Sequence, residues 1–497
     1  MIDTQAIRSK ILDLAMRGQL TEQLPEDGTV EVPREILAAK NAKSAKEYSR
    51  RDAESAENAT PPFTIPSNWK WVRLGSVSVI VRGSGIKRNE TSESGVQCVR
   101  YGEIYTDYGY SFSRSVSHVP VEIADKCQEA TFGDVLCTLT GENEIEIAKA
   151  TAYLGKERLV IGGDLAKITN HPYDPMLLVY FLFSPFLINQ KASVCSDGMI
   201  VHMGKSALAN LMVPLPPLAE QHRIVARVEQ AFSALDTIDA LQAKYADNLA
   251  VLKSKLIDAA IQGKLTEQLP EDGTADELYR QIQAEKQALI KAGKIKKEKP
   301  LPEITADEIP FEIPEEWKWT RLGNLMLVVS TGPFGSMLHE SDYCEGGIPL
   351  VNPMHIQNGA IHPSDKMRVS ASTLKRLSQY RLSEGMIVVA RRGDLGRCAS
   401  VGKTENGWIC GTGCFFLNPS RHVFVPFITL VISSPFARSV FRGTAIGTTM
   451  ANLNHNLLKG LPFPLPPLAE QKRIVKRLDE VLKLVEARQS VAGRAAV

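Results

Sequence analysis

Residues 214–221 read PLPPLAEQ, and residues 464–471 read PLPPLAEQ again. The second copy lies 250 positions after the first, in a chain of 497 residues. Internal self-similarity at a fixed distance indicates that one structural unit is built more than once. The sequence around the two copies therefore decides how the whole chain is organised.

The similarity continues on both sides of this stretch. FTIPSNWKWVRLG at 63–75 returns as FEIPEEWKWTRLG at 311–323, and LTEQLPEDGT at 20–29 returns unchanged at 265–274. Comparing residues 5–29 with residues 250–274 gives 15 identities in 25 positions. The two halves of the chain therefore share one plan.

Between these anchors the two copies diverge but keep a common skeleton. Each aligned piece alternates or runs apolar over four to eight residues between glycine-containing turns, which is typical of β-strands. We predict one α+β fold that carries two different surfaces. The aligned pairs are GVQCVR (95–100) with GIPLVN (347–352), FGDVLCTLTG (132–141) with EGMIVVARRG (384–393), and SPF (184–186) with SPF (434–436).

The composition is that of an ordinary globular protein, with 44% hydrophobic residues, 23% charged residues and a formal net charge of +2. No run of roughly 18 apolar residues is present, so the sequence predicts neither a membrane span nor a secretory signal, and we expect a cytoplasmic protein. The eight cysteines show no zinc-finger spacing. We predict no structural metal, with Cys410 and Cys414 as reduced thiols.

A long helix is predicted after the first PLPPLAEQ. Its apolar residues are spaced alternately by four and three, which is typical of a coiled coil, with polar Gln242 at the one missing place. Over residues 224–262 such a helix would be about 58 Å long at ~1.5 Å per residue. The heptad residues are Ile224, Val228, Ala231, Leu235, Ile238, Tyr245, Leu249, Leu252, Leu256 and Ala259.

The second copy of this helix stops early, and the missing half is found at the other end of the chain. We predict that the C-terminal and N-terminal helices together rebuild one equivalent of residues 224–262. Two long antiparallel helices with a pseudo-two-fold axis would result, an arrangement that suits duplex DNA with two half-sites. The heptad residues are Ile474, Leu478, Val481 and Val485 at the C-terminus, and Ile7, Ile11 and Leu14 at the N-terminus.

With both copies followed by a helix that contains IV, and with GTTMANLN at 447–454, the sequence resembles the specificity subunit of a type I restriction-modification enzyme. The resemblance covers nearly the whole chain. It implies two α+β target recognition domains separated by two long antiparallel coiled-coil helices in a pseudo-two-fold cyclic repeat. The expected segments are an N-terminal helix (1–20), a linker (21–62), target recognition domain 1 (63–213), a central helix (214–263), a linker (264–310), target recognition domain 2 (311–463) and a C-terminal helix (464–497).

The resemblance also implies a function. Each target recognition domain would read one half of a bipartite asymmetric sequence in double-stranded DNA, and the helices would set the spacer. Two modification subunits, which methylate adenine N6 with S-adenosylmethionine, would dock on the helices, and restriction and translocation subunits would join through that core. We expect ATP and Mg²⁺ on those partners, and no cofactor, metal or catalytic site on this chain.

Near matches to catalytic motifs fail on inspection. TPPF at 60–63 has Thr60 where an adenine methyltransferase needs Asn, Asp or Ser. GMIVHMGKS (198–206) and GRCASVGKT (396–404) have five residues between the glycines where a phosphate-binding loop has four. Glu316 and Lys318 imitate a nuclease motif, but Asn68 stands at the glutamate position of the other copy.

Basic and amide side chains in loops beside the predicted strands are the candidate DNA contacts, because such groups bind phosphates and base edges. For each of them a merely solvated side chain is the alternative. Arg100 and Asn352 occupy equivalent positions with different chemistry, as two readers of different bases should. The candidates are Arg82, Lys87, Arg88, Arg100, Tyr101, His202 and Lys205 in the first domain, and Asn352, His355, Gln357, Arg391, Arg392, Arg397, Thr448, Thr449, Asn452 and Asn454 in the second.

Residues shared by the two copies should instead serve the fold. We therefore predict that Trp69, Trp71, Trp317 and Trp319 pack in cores rather than stack on bases. Glu220, Gln221, Glu470 and Gln471 begin the long helices, where carboxylates are favourable, or dock a modification subunit.

Two further readings stay open. The linkers are either connectors or, around KAGKIKKEKP (291–300), a basic DNA arm. The chain could also be a coiled-coil scaffold that reads no DNA, or a self-sufficient methyltransferase, which the missing motif disfavours.

Overall fold

A computed structural model describes residues 1–30, 62–196, 200–334, 337–443 and 452–494 of the chain. The chain divides into two compact units, a first unit of Met1–Gln242 and a second unit of Ala243–Val497. Each unit combines β-sheets with helices around its own hydrophobic core. The predicted fold class, two copies of one α+β domain with long antiparallel helices, is confirmed.

The helices of the first unit are α1 (Thr4–Met16), α2 (Leu74–Val77), α3 (Tyr101–Thr106), α4 (Val121–Ala124), α5 (Pro175–Leu182), α6 (Pro185–Val194), α7 (Lys205–Ala209) and α8 (Leu218–Ile261), which continues into the second unit. Its strands are β1 (Lys70–Arg73), β2 (Val79–Arg82), β3 (Val96–Val99), β4 (Ser111–Phe112), β5 (Ser117–Val119), β6 (Gln128–Ala130), β7 (Val135–Thr138), β8 (Thr140–Gly141), β9 (Ala150–Tyr153), β10 (Leu159–Ile161), β11 (Leu165–Thr169), β12 (Val201–His202) and β13 (Met212–Leu215).

The second unit adds the helices α9 (Ala275–Lys291), α10 (Leu322–Leu325), α11 (Ala371–Arg376), α12 (Val425–Ser433), α13 (Pro435–Gly443), α14 (His455–Gly460) and α15 (Leu468–Arg494). Its strands are β14 (Lys318–Arg321), β15 (Met326–Thr331), β16 (Tyr343–Val351), β17 (Ile356–Gln357), β18 (Ala360–Ile361), β19 (Arg368–Val369), β20 (Ile387–Ala390), β21 (Cys398–Ser400), β22 (Ile409–Cys410), β23 (Cys414–Pro419) and β24 (Pro462–Leu465).

The sheets of the two units follow one scheme. One sheet has the order β2-β11-β7-β9-β4 in the first unit, and its counterpart has the order β15-β23-β20-β21 in the second. Beside it, β3 pairs in parallel with β10, and β16 pairs in parallel with β22. Two of the three aligned pairs therefore form strands, as predicted, whereas the strand prediction is wrong for the SPF pair, which begins helices α6 and α13.

The repeated PLPPLAEQ is the end of a strand followed by the start of a helix. β13 pairs antiparallel with β1 so that Trp71 lies opposite Pro214, and β24 pairs with β14 so that Trp319 lies opposite Pro464. Proline is tolerated there because each ladder has only two strands, both of them at an edge. The Pro217 carbonyl then accepts the Gln221 N–H, and α8 begins at Leu218.

A buried carboxylate fixes the start of each long helix. Glu220 has no exposed surface, and its carboxylate accepts hydrogen bonds from the Trp69 indole N–H (2.7 Å), Gln23 and Thr21. It is therefore neither a simple helix-start residue nor accessible to a docking partner. Its carboxylate holds the loop of residues 20–29, and the WKW sequence (69–71) at the start of β1, against α8.

The second unit repeats this arrangement atom for atom. The carboxylate of Glu470, 1% exposed, accepts hydrogen bonds from the Trp317 indole N–H (2.8 Å), Gln268 (2.8 Å) and Thr266 (3.1 Å). The prediction that the first tryptophan of each WKW motif serves the core is confirmed, since Trp69 is 4% and Trp317 is 6% exposed.

The second tryptophan of each motif also packs inside its unit. Trp71 lies edge-on to Phe63, with ring centroids 4.9 Å apart, and Trp319 lies 5.1 Å from Phe311. The prediction of a packing role rather than base stacking is confirmed for this pair as well.

The glutamine that follows each buried carboxylate joins the long helix to the domain. The Gln221 side chain accepts the Asp174 backbone N–H (2.6 Å) and donates to the Pro216 carbonyl (2.9 Å). The Gln471 side chain accepts the Phe424 backbone N–H (3.0 Å) and donates to the Pro466 carbonyl. Both glutamines are buried, so the docking alternative does not apply to them either.

An ion pair closes each junction. Arg223 donates two hydrogen bonds to the Asp27 carboxylate, and Arg473 does the same to Asp272. The arginine hydrogen bonds hold the pKa of both aspartates below its usual value. Both pairs join the TEQLPEDG loop to the first turns of a long helix.

In each unit a helix from one chain end runs antiparallel to part of α8. In the first unit the Thr4 hydroxyl donates to Asp239 (2.7 Å) and the Ile2 N–H donates to the Gln242 side chain (2.6 Å). In the second unit Lys253 on α8 contacts Glu486 on α15 at 2.8 Å. The antiparallel pairing was predicted, but the residues that pack are only partly those of the heptad.

The predicted heptad residues are buried near the PLPPLAEQ stretches and half-buried or exposed elsewhere. Helix α1 buries Leu12, Ala15 and Met16 in the core that contains α5 and α6. The buried side of α1 is therefore the side that packs against its domain and not the predicted heptad side. Of the predicted set, Ile224, Val228, Leu235, Ile474 and Leu478 are buried, Ile238, Leu249, Leu256, Val481, Val485, Ile11 and Leu14 are half-buried, and Ile7, Tyr245 and Leu252 are exposed.

No single helix in the described part of the chain is long and apolar enough to cross a membrane. The bent pair α5 and α6 passes a length and composition test together, but α5 is buried in the core of the first unit from Leu177 to Leu182.

Replacing Glu220 with alanine should destabilise the first unit, because the Trp69 indole and the Gln23 amide would lose their acceptor. We expect a cost of about 1–3 kcal/mol for leaving the buried Trp69 indole unpaired, measured by urea unfolding followed through tryptophan fluorescence. Glu470→Ala should act likewise on the second unit. Glu229→Ala, at an exposed position of α8, is the matched control and should stay within about 0.5 kcal/mol of wild type. Equal unfolding midpoints for Glu220→Ala and Glu229→Ala would contradict this role.

Candidate nucleic-acid interface

Equivalent turns in the two units bring the candidate residues together. The turn after β7 pairs Thr140 with His202, and the turn after β20 pairs Arg392 with Asn452. The sequence alignment places Thr140 opposite Arg392, so His202 and Asn452 also occupy equivalent positions. Two segments about 60 residues apart therefore meet at the same place in both domains.

In the second unit this place is basic and aromatic. The Arg391 guanidinium lies over the Phe415 ring, 5.1 Å from its centroid, and the edge of the same ring contacts His455 at a centroid distance of 4.9 Å. Arg392 beside it is exposed. An arginine stacked on an aromatic ring is oriented in advance, which favours bidentate recognition of a planar group.

His455 was not among the sequence candidates. Burial, with the nearby charges of Lys459 and Arg391, lowers the pKa of His455, so the ring is neutral near pH 7 and offers both a donor and an acceptor. The signal available in the sequence was its position directly after Asn454.

The remaining arginine and the asparagines of this cluster differ in exposure and in hydrogen bonding. Arg397 is half-buried, and its buried Nε has no hydrogen-bond partner among the described residues. Asn452 is exposed, whereas the Asn454 side chain accepts the Leu457 N–H (2.9 Å) and caps α14. Asn454 therefore has a structural role beside any contact with DNA. Thr448 and Thr449 lie outside the described residues.

The NPMHIQNG segment forms a short turn after β16. His355 is only 3% exposed, and its Nδ1 accepts the Asn352 backbone N–H at 3.1 Å. Burial lowers the pKa of His355, so the ring stays neutral. Its selection as a base contact is wrong, because the ring holds the turn from inside. Asn352 is half-buried, and the exposed Gln357 donates to the Met354 carbonyl (3.2 Å).

In the first unit the candidate Arg100 is already paired with a carboxylate. Arg100 contacts Glu103 at 2.8 Å, and this buried carboxylate also accepts the Ser117 hydroxyl (2.7 Å). The ion pair reduces the attraction of Arg100 for a phosphate. Tyr101 next to it is 43% exposed.

The other basic candidates of the first unit lie at the surface. Arg82 donates to the Gly163 carbonyl (2.7 Å) and contacts Asp164 at 3.4 Å. Lys87, Arg88 and Lys205 are exposed. The ring of His202 lies 3.2 Å from the Thr140 hydroxyl, which fixes its orientation.

The first unit carries an acidic turn that is not among the predicted DNA contacts. Residues 142–146, ENEIE, are exposed and contain three glutamates, in the region where the second unit has Arg391 to Arg397. The Tyr105 hydroxyl lies within 3.2 Å of the Thr140 and Glu146 carbonyls and holds this turn. Carboxylates accept hydrogen bonds from cytosine N4 but repel phosphates.

A buried lysine supports the acidic turn from below. The Lys191 ammonium donates to the Ala148 carbonyl at 3.3 Å, and burial lowers the pKa of Lys191 to about 8. The SPF alignment places the buried Phe441 at the same position of the second unit. The supports under the two turns therefore differ as much as the turns themselves.

Comparison with known proteins agrees with this duplicated plan. A family model described as the type I restriction modification DNA specificity domain matches residues 66–244 and 314–491. The type I restriction enzyme EcoAI specificity subunit of Escherichia coli is 26% identical to this chain, and the match covers 96% of this chain and 88% of that protein. The MjaVIII specificity subunit of Methanocaldococcus jannaschii is 24% identical, over 86% of this chain and 88% of its own length.

A solved structure shows the same fold. It is described as the structural basis underlying complex assembly and conformational transition of the type I R-M system. It superposes with a TM-score of 0.59 at 19% identity and covers 88% of this chain and 95% of the solved one. Because the matched segments include both copies of the duplicated plan, the chain belongs to the family of type I restriction-modification specificity subunits.

Proposed function

We propose that this chain reads a bipartite DNA sequence for a type I restriction-modification system, with one half-site for each unit. One observation carries the proposal. Equivalent turns, built on the same strands, present Arg391, Arg392 and Asn452 in the second unit but Thr140 and His202 in the first. A shared framework with different reading groups is what recognition of two different half-sites requires.

The chemistry of the two turns suits different base edges. Arginine binds guanine O6 and N7 in a bidentate manner, and asparagine binds adenine N6 and N7. The first unit instead offers hydroxyl, imidazole and carboxylate groups, which accept hydrogen bonds from exocyclic amines. We therefore expect the second unit to favour a half-site that contains guanine.

We further propose that methylation and cleavage lie on partner subunits. Two modification subunits that use S-adenosylmethionine would dock on the long helices, and restriction subunits that use ATP and Mg²⁺ would join them in the cytoplasm. The surface of helix α8 is consistent with binding a protein partner, because the middle of this helix exposes apolar side chains to solvent. These residues are Leu241, Tyr245, Val251 and Leu252.

A scaffold that binds proteins without reading DNA is the second candidate, and the same exposed apolar residues favour it. Methylome sequencing separates the two functions. A host that carries this gene should show a bipartite N6-methyladenine motif, and deletion of the gene should abolish that motif. If methylation persists unchanged after deletion, the reading function is wrong.

Replacing Arg391 and Arg392 with alanine should relax one half-site and leave the other unchanged. Each lost bidentate base contact should cost about 1–3 kcal/mol of discrimination, measured by competition binding with duplexes mutated in either half. Lys403→Ala is the control, because Lys403 follows β21 at the end opposite the arginine turn. An equal loss at both half-sites would argue against independent readers.

Inserting seven residues after Gln242 should change the permitted spacer and leave both half-sites as they are. The insertion lies where α8 passes from the first unit to the second, within a helical stretch whose residues 243–248 are exposed. Seven residues add about 10 Å of helix at ~1.5 Å per residue, and two full turns nearly preserve its phase. The methylated motif of the variant provides the measurement. An unchanged spacer would show that the length of α8 does not set the distance between the half-sites.

A further inference from the structure

A strongly basic segment lies beside the candidate interface of the second unit and takes no part in the reading described above. Residues 291–299, KAGKIKKEK, contain five lysines and one glutamate, and all but Ile295 are exposed. None of the five lysines forms an ion pair with another described residue. We call this segment the basic elbow.

The basic elbow has a defined shape at its first end. Helix α9 ends at Lys291, and Gly293 adopts a left-handed conformation with φ +71°. The Lys294 N–H then returns to the Leu289 carbonyl (2.9 Å), and the Gly293 N–H returns to the Ile290 carbonyl (3.0 Å). This pair of bonds is a Schellman motif, which fixes the direction in which the chain leaves the helix.

The elbow is fixed at its other end by an ion pair. The Lys459 ammonium on α14 contacts the Glu298 carboxylate at 2.7 Å. Helix α9 itself is held to the domain, because Leu278 and Ile282 are buried and Lys286 donates to the Gly323 carbonyl at 3.0 Å. The lysines are therefore carried on a fixed support rather than on a free tail.

Helix α14 connects the elbow to the reading residues. Asn454 caps this helix, His455 begins it and packs against Phe415 beneath Arg391, and Lys459 near its end binds the elbow. A cleft of about 1520 Å³ lies alongside, with Lys299 among its lining residues together with Asn452. Lys299 of the elbow and the reading residues Asn452 and Asn454 thus line one cleft, together with the carboxylates of Glu298, Glu303, Asp307 and Glu308.

Helix electrostatics explain only part of this charge. A lysine in the last turn of a helix is favoured by the helix dipole, which accounts for Lys291. Lys296, Lys297 and Lys299 lie beyond that turn and gain nothing from it. Like charges crowded on a fixed support repel one another, and an anionic partner relieves that repulsion.

We propose that the basic elbow binds the phosphate backbone of the DNA duplex just outside the half-site read by the second unit. The contact is independent of sequence, since an ammonium on a long stem acts as a point charge for phosphate. It adds affinity and leaves the choice of bases to the Arg391 turn. The inference rests on the proposed DNA-reading function and goes beyond it by assigning a backbone contact to the linker.

The double variant Lys296→Gln/Lys297→Gln of the full chain tests this proposal. Each phosphate contact contributes about 0.9 to the slope of log K against log salt concentration, so the slope should become shallower by about 1 to 2. The probe is a duplex with the methylated motif and ten flanking base pairs, titrated at several salt concentrations. The base preference of the variant should equal that of wild type.

The charge-matched control is Lys375→Gln/Lys403→Gln. Lys403 follows the end of β21 that lies away from the arginine turn. Lys375 lies on α11 beside Arg376, and Arg376 pairs with Asp342, which precedes β16, whereas Asn352 follows that strand. The control should keep the wild-type slope. A wild-type slope for the elbow variant, or an equal change in the control, overturns the elbow contact. If wild type shows no preference for the motif, the proposed function itself fails.

Discussion

The hydrogen bond from a tryptophan indole to a buried glutamate is the constraint on which each unit depends. Glu220 and Glu470 have almost no exposed surface, and a carboxylate without water is costly unless donors surround it. The indole, a glutamine amide and a threonine hydroxyl supply those donors from two other segments. One carboxylate therefore fixes a loop, an edge strand and the start of a long helix in a single arrangement.

This constraint explains which parts of the two copies stayed alike. Glutamate, tryptophan and the TEQLPEDG loop must satisfy one another, so a change in one leaves a buried polar group unpaired. The turns after β7 and β20 meet no such requirement, because residues 142–146 of the first and 392–394 of the second are exposed. They differ in length, charge and support, from Lys191 under the first to Phe441 at the matching place under the second.

The same contrast decides which arginines are available for recognition. Arg100 is held by a buried glutamate, whereas Arg391 is oriented by an aromatic ring that leaves its hydrogen-bonding capacity largely free. The two residues look alike in sequence, and both follow an apolar strand. Their difference arises from Glu103, one helical turn away from Arg100, and from Phe415 on a strand more than 20 residues beyond Arg391.

By itself, the sequence determined the duplication, the strands that alternate between the anchors, the family and the start of both long helices. These features depend on local periodicity and on identity between copies, which the chain displays directly. Only the tertiary structure decided that α1 buries Leu12, Ala15 and Met16 instead of its heptad, that His355 lies inside its turn, and that the second unit sets a basic elbow beside its reading residues. Burial and charge pairing depend on contacts between segments that are distant in sequence. Local sequence patterns do not indicate which distant segments will be in contact.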